Sequence, residues 1–355
     1  MDVHQFATSL TYGDAISDEM LEIQSVLREH GFGSEIFVRQ FDPRSAAAVR
    51  DYREYPRWSK PENVVIFHFS IGSPVSKMFL RIPDRKMMIY HNITPAGFFL
   101  DSHRILTREC YKGRLEINMF VDKVDLALGD SDFNRRELAS VGYKKTGVLP
   151  ILMNFRKFDG PGDPVVRGLY ETKKTTILYV GRVIPNKKFE DVVKAFAFYK
   201  KHFNPEARLI LAGDYRGQDR YLAGLQDLIA KLRIADVHLT GHVEFPELLA
   251  YYRLADYYLS MSEHEGFGVP LLEAFHLGIP VVAFAAGAVE ETMNGGGVVL
   301  RRKDPLRTAG LIDEIERRPE LRRKIVEGQK KALKPYLREN VSRVLLAQIA
   351  EVAGK

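Results

Sequence analysis

Short apolar runs alternate with amphipathic stretches along the whole chain. Residues 2–9, 35–38, 64–69, 86–91, 124–128 and 147–149 read as strands. Residues 18–30 read as a helix whose apolar stripe is Met20, Leu21, Ile23, Val26 and Leu27, stopped at Gly31. Residues 104–120 and 132–141 read as further helices. The next stretch, 154–173, has little pattern and holds Gly160-Pro161-Gly162-Asp163-Pro164, a linker composition. After it the alternation restarts: strands at 175–180, 207–211 and 237–239, helices at 189–202 and 221–232. Such alternation predicts doubly wound α/β sheets, and the restart predicts two of them. The boundary falls near 149–155, giving domains 1–153 and 154–337. An amphipathic end, 338–355, forms the last helix.

The most informative stretch lies in the second domain, at Ser262-Glu263-His264-Glu265-Gly266-Phe267-Gly268-Val269-Pro270-Leu271-Leu272-Glu273. A buried strand, Tyr258-Leu259-Ser260-Met261, precedes it. Gly278-Ile279-Pro280-Val281-Val282-Ala283-Phe284 follows as a helix stop and another strand. The glycine-bearing turn therefore leaves the carboxyl end of a parallel strand, where open sheets bind ligands. Pro270 suits the first helical position, and the N–H groups of that first turn favour an anion. Two carboxylates beside an anion site can accept sugar hydroxyls while N–H groups hold phosphates. By spacing alone, two glutamates on a solvated helix face explain Glu265 and Glu273 as well. The strand–loop–helix–strand setting decides against that.

Arg182 and Lys187 follow another strand, in Leu178-Tyr179-Val180-Gly181-Arg182-Val183-Ile184-Pro185-Asn186-Lys187-Lys188. Two cations there can stabilise charge growing on a departing diphosphate. These blocks resemble the retaining nucleotide-sugar glycosyltransferases of family 4, which have the GT-B architecture. The resemblance implies two Rossmann-like domains facing each other across a cleft, the last helix crossing back to the first domain. It implies Glu265 as a donor-sugar contact, Glu273 on the ribose, Arg182 and Lys187 on the diphosphate, and backbone N–H groups of Gly266, Phe267 and Gly268 near the sugar. His91, in Tyr90-His91-Asn92, matches a histidine close to the donor sugar. Gly13, in Tyr12-Gly13-Asp14, stands where family members carry paired glycines, so only part of that loop is kept. His242 and Val243, in Thr240-Gly241-His242-Val243, resemble the base-binding loop.

The expected activity is retaining transfer of a hexose from a UDP- or GDP-sugar to a saccharide or lipid-linked saccharide acceptor, in surface polysaccharide synthesis. A GT-B phosphorylase, a nucleotide-sugar epimerase and a non-catalytic nucleotide-sugar-binding subunit are the alternatives. No cluster of His or Cys ligands stands in the sequence, so no metal cofactor is expected. The 355 residues suit two cores, and the single cysteine, Cys110, suits a reducing cytoplasm. The start of the chain lacks a signal-peptide pattern, and no apolar run reaches the ~18 residues of a membrane span. A cytoplasmic protein follows, with membrane contact limited to a peripheral one at the inner face. The net charge of +6 resides in 301–334, which holds 12 basic and 6 acidic side chains. A solvated helical face explains it better than contact with anionic lipid. Nucleic acid is disfavoured because no aromatics interleave.

Overall fold

A computed structural model describes residues 1–172 and 174–354. It divides into two compact units. The first comprises Met1–Gly97, Ile105–Asn154 and the segment from Pro335 onward; the second comprises Phe98–Arg104 and Phe155–Lys334.

The first unit holds seven strands: β1 (Val3–Leu10), β2 (Ile36–Phe41), β3 (Val49–Asp51), β4 (Val64–Phe69), β5 (Arg85–Tyr90), β6 (Leu126–Gly129) and β7 (Thr146–Val148). All pair in parallel, in the order β3-β2-β1-β4-β5-β6-β7. Val64, Ile66, Met87 and Ile89 are fully buried, as strands covered on both faces must be. The helix Ala15–Glu29 covers one face with Ile23, Val26 and Leu27, and Asp14 caps it by accepting from the N–H of Ser17. The last helix, Arg338–Ala353, sets Val341, Leu345 and Ile349 into that same core.

The second unit holds six parallel strands: β8 (Thr176–Val180), β9 (Arg208–Ala212), β10 (Val237–Gly241), β11 (Tyr257–Ser260), β12 (Val281–Phe284) and β13 (Val298–Leu300). Their order is β10-β9-β8-β11-β12-β13. The chain leaves β8 towards one edge and β11 towards the other. The strand order thus reverses between β8 and β11, whose carboxyl ends frame the crevice where doubly wound sheets bind ligands.

The structure moves two boundaries. Residues 98–104 belong to the second unit, where the Asp101 carbonyl accepts from Arg220 at 2.6 Å and Phe98 lies 6.1 Å from the His264 ring. The stretch 154–173 contains a helix, Pro164–Tyr170, started by the Asp163 cap on Val165 and Val166. Its glycines and prolines read as a linker because the cap and the proline at the first turn look alike in turns and helix starts.

Candidate active site in the second unit

β8 ends at Val180, and Gly181 (φ 159°) starts the turn that carries Arg182. Gly213, just past β9, lies so close that a Cβ there would stand 1.8 Å from the Gly181 carbonyl oxygen. Only glycine fits, and the contact fixes the path of the Arg182 loop. Arg182 is exposed, and its guanidinium has no ion-pair partner among the described residues. The chain then forms a single 3-10 turn, Pro185–Lys187, with Lys188 in the left-handed region at φ 51°. That reversal separates the two lysines. Lys187 Nζ reaches both carboxylate oxygens of Glu265, at 2.7 and 2.8 Å. Lys188 turns to Glu263 at 3.3 Å and Glu190 at 3.6 Å.

The loop after β11 is held from several sides. Ser262 shares a hydrogen bond of 2.7 Å with the Tyr179 hydroxyl. Asn186 accepts from the N–H of Glu263 with its carbonyl and donates through Nδ2 to the His264 carbonyl. Behind Glu265 runs the turn after β12: Ala288 N–H donates to the Glu265 carbonyl at 2.9 Å. A Cβ on Gly287 would sit 2.2 Å from that same oxygen. Thr292 Oγ1 donates to the Phe267 carbonyl at 2.7 Å. These contacts hold the Glu265 backbone between two loops and set its carboxylate, largely buried like Lys187, over the end of β8.

Gly268 adopts φ 99° and opens the helix Val269–His276 without a side-chain cap. Phe267 is buried and anchors the turn, whereas Gly266 is half-buried. Glu273, in this helix, is 7% exposed and accepts a 2.6 Å hydrogen bond from the Tyr252 hydroxyl. Burial, then the nearby Glu273 charge, pushes that hydroxyl's pKa well above the ordinary tyrosine range. A carboxylate is costly to bury, so Glu273 is not a surface glutamate. Past the end of the edge strand β10, His242 is exposed and Val243 half-buried beyond Gly241, whose left-handed φ of 74° lets Tyr215 pack against it. Arg182, Lys187, Glu265 and Glu273 are thus positioned by the facing ends of β8 and β11.

The first unit carries the other two expected residues. Gly13 (φ 78°) lies on an exposed turn after β1 with open space around it. His91 is buried instead, and both ring nitrogens are engaged. Its Nδ1 lies 3.1 Å from Asp130 Oδ2, and its Nε2 lies 2.9 Å from His68 Nδ1. His68 Nε2 in turn meets Gln5 Oε1 at 2.9 Å, and Gln5 Nε2 donates to the Met20 carbonyl. The direction of this chain follows from its end. A carbonyl only accepts, so the Gln5 oxygen faces His68 and must receive the His68 Nε2 proton. His68 Nδ1 then accepts, His91 Nε2 donates, and the His91 Nδ1 proton faces the carboxylate. With Asp130 ionised, His91 is an imidazolium. Burial opposes that charge, but the Asp130 charge and hydrogen bond, with Glu19 at 3.7 Å, outweigh it and raise the pKa to about 9. His68, buried beside that cation, is held well below the usual histidine range. Glu19 is pushed up to about 8 by burial, and its Oε1 accepts from the Leu152 N–H at 3.3 Å.

Glu19, His68 and His91 offer ligand atoms within 4.8 Å of one another. The expectation of no metal-ligand cluster missed this group, because its members lie far apart in the sequence and only strand order joins them. A sugar contact by the His91 ring would need a nitrogen that this chain of hydrogen bonds already uses. Asn186, Gly213, Gly287 and Tyr252 were likewise not marked as site residues. The only signal for the glycines was their place just beyond a strand.

Residues 167–332 match the family described as "Glycosyl transferases group 1". The O-antigen chain mannosyltransferase B of Escherichia coli is 25% identical over 272 residues, covering 74% of this chain and 65% of its own length. A D-inositol 3-phosphate glycosyltransferase of Frankia alni is 31% identical over 184 residues, covering 47% and 44%. The matches thus span less than two thirds of these relatives. Among solved structures, sucrose-phosphate synthase from Thermosynechococcus elongatus aligns with TM-score 0.78 at 16% identity, over 99% of this chain and 98% of its own. Anabaena HepE, solved with UDP and glucose, aligns with TM-score 0.72 at 17% identity over 99% and 100%. At such identities the likeness shows the fold, which is GT-B. The match to the group 1 glycosyl transferases is thus to residues 167–332, inside a chain whose fold is GT-B.

Proposed function

We propose that the protein is a retaining glycosyltransferase that moves a hexose from a UDP- or GDP-sugar to a saccharide or lipid-linked saccharide acceptor. The observation that carries this reading is the exposed Arg182 beside the Lys187–Glu265 pair, at the point where the strand order of the second sheet reverses. A diphosphate placed there takes the Arg182 fork and draws Lys187 from Glu265. The freed carboxylate then accepts hydroxyls of the donor sugar, with the N–H groups of Gly266, Phe267 and Gly268 nearby. Glu273 takes the ribose, and the Gly241–Val243 turn lies against the base. The acceptor hydroxyl attacks the anomeric carbon from the leaving-group face as the bond to the diphosphate breaks, and its proton passes to the departing phosphate. Arg182 and Lys187 supply the positive charge that a metal ion would otherwise bring.

A thermal-shift panel of UDP-, GDP- and ADP-sugars in excess EDTA tests this. A ligand at about 100 times its dissociation constant should stabilise the fold by ~2.7 kcal/mol. Sugar transfer should persist in the chelator. No shift with any of them removes the donor site; activity lost in EDTA and restored by Mg²⁺ removes the metal-free mechanism.

The role of Glu273 has its own check. Glu273→Gln keeps an acceptor for the Tyr252 hydroxyl but loses the charge that strengthens a ribose hydrogen bond. Calorimetric titration should show UDP or GDP binding weakened about tenfold, with thermal stability close to wild type. Equal affinities would leave Glu273 as the buried partner of Tyr252 and nothing more.

A further inference from the structure

One ammonium joins three loops of the second unit. Lys303 follows β13 and is held at both sides. Before it, the Leu300 carbonyl accepts from the Ala285 N–H at 2.9 Å; after it, Asp304 caps the helix Pro305–Arg317. Its side chain crosses the end of β12, with Nζ 5.0 Å from the centre of the Phe284 ring. It ends between two carboxylates, Asp191 Oδ2 at 2.8 Å and Glu263 Oε1 at 2.9 Å. Asp191 stands in the first turn of the helix Phe189–His202, which Lys188 opens. Glu263 stands two residues before Glu265. The side chain of Lys303 is 19% exposed and that of Asp191 21%, so this contact lies mostly out of water.

Lys194 pairs with Asp191 at 3.2 Å and Lys188 with Glu263 at 3.3 Å, but Lys303 bridges the two acids. Burial opposes the charge on Glu263, yet the hydrogen bonds and charges of Lys303 and Lys188 outweigh it and hold that carboxyl below the usual glutamate range. Asp191 is likewise held low against burial, by Lys303 and Lys194. Without the Lys303 ammonium the two acids would face each other as like charges, each short of a partner. Glu265 has its own tie on the inner side, the two-oxygen contact with Lys187. A diphosphate that draws Lys187 away breaks that tie just when the Glu265 carboxylate must stay in place. The Lys303 tie lies on the outer side and is untouched by the exchange.

We propose that Lys303 is a positioning residue of the donor site, which keeps the Glu263–Glu265 loop in place against the loop after β8 once Lys187 has left Glu265. It acts through Glu263 and Asp191 rather than on the donor. Its link to turnover rests on the transferase reading. The tie itself does not, because Lys187 can be removed by substitution as well as by a ligand.

Hydrogen–deuterium exchange of the amides of residues 262–268, in the full chain without ligand, tests the tie. In the wild-type background Lys187 still holds Glu265, so Lys303→Met should speed exchange by less than about threefold. In a Lys187→Met background, which breaks the inner tie as a diphosphate would, Lys303→Met should speed it by about tenfold. Lys303→Arg keeps the charge and should restore protection. Lys194→Met removes a cation from Asp191 without touching Glu263, and should leave exchange unchanged in both backgrounds. Kinetics then tests the consequence: Lys303→Met should lower kcat about tenfold while the calorimetric Kd for UDP or GDP stays within about twofold. The proposal is overturned if Lys303→Met leaves exchange unchanged in the Lys187→Met background, or if Lys194→Met acts equally. It is also overturned if Kd rises as much as kcat falls. A wild type that shows the exchange pattern but transfers no sugar would remove the transferase reading and leave the tie standing.

Discussion

Arg182→Ala and Lys187→Ala should each lower kcat by about a hundredfold or more while changing donor affinity far less. A diphosphate gains negative charge as the glycosidic bond breaks, so a cation aimed at it stabilises the transition state more than the ground state. The geometry sharpens the expectation. Arg182 is exposed and unpaired among the described residues, so it can meet the diphosphate without giving up another anion. Lys187 begins in a two-oxygen contact with Glu265 and must exchange part of it for phosphate. That exchange costs donor affinity, and Glu265→Gln should recover some of it by releasing Lys187. Turnover of Glu265→Gln should still fall, because the sugar loses its charged hydroxyl acceptor. Steady-state kinetics with a calorimetric Kd for the donor diphosphate separates the two quantities. Variants of Arg182 and Lys187 that raised only KM would make these residues ground-state anchors, and the proposed chemistry would lose its main support.

Much of this frame is legible in the residue pattern. The helix Phe189–His202 lies where its apolar spacing places it, and β4 and β8 are mostly apolar runs, broken by His68 in one and begun by Thr176 in the other. The pattern fails where elements are short. β3 and β13 are three residues each, too brief for an alternation to show, and both are edge strands. The helix expected over 104–120 tightens to a 3-10 turn from Ile117, where it closes over the core with Ile117 and Phe120. The apolar pattern marks no helix at Pro74–Arg81, although Ser73 caps it and Pro74 stands at its first turn. In the site, residue types could suggest Glu265 and Lys187 but not the bond between them, which joins positions 78 apart. Nor could they show that Gly213 and Gly287 are fixed by backbone lying under 2.5 Å from where a side chain would begin. Such close approaches arise from two loops meeting, and neither loop carries the other's position. His91 is the sharpest case. Its partners Gln5, His68 and Asp130 come from different segments that only the strand order β1-β4-β5-β6 brings together.

The His91 cluster leads to a second large expected effect: the first unit should lose stability steeply as pH rises from about 6.5 to 9. The sign follows group by group. His91 is raised from 6.5 to about 9, so its contribution is full below pH 6.5 and gone above 9. Glu19 is raised from 4.5 to about 8 by burial, so the folded chain keeps a proton that the unfolded chain has already released. Its contribution also fades as pH rises, ending near 8. His68 acts oppositely. Folded, it stays neutral, while unfolded it protonates below 6.5, so it costs stability only on the acid side. Asp130 and Asp14 both face the imidazolium and favour its charge. Between pH 6.5 and 8 the fold therefore holds up to two protons that the unfolded chain lacks, and each gives a slope of about 1.4 kcal/mol per pH unit. A loss on the order of 3 kcal/mol from pH 7 to 9 is expected. Urea unfolding of the chain across that range reads it directly. Glu19→Gln keeps an oxygen for the Leu152 N–H and removes one of the protons, so its stability should fall less steeply below pH 8. A wild type whose unfolding midpoint stays constant from pH 6.5 to 9 would mean that His91 is neutral in the fold. The proton between His91 Nδ1 and Asp130 would then have to sit on the Asp130 carboxyl.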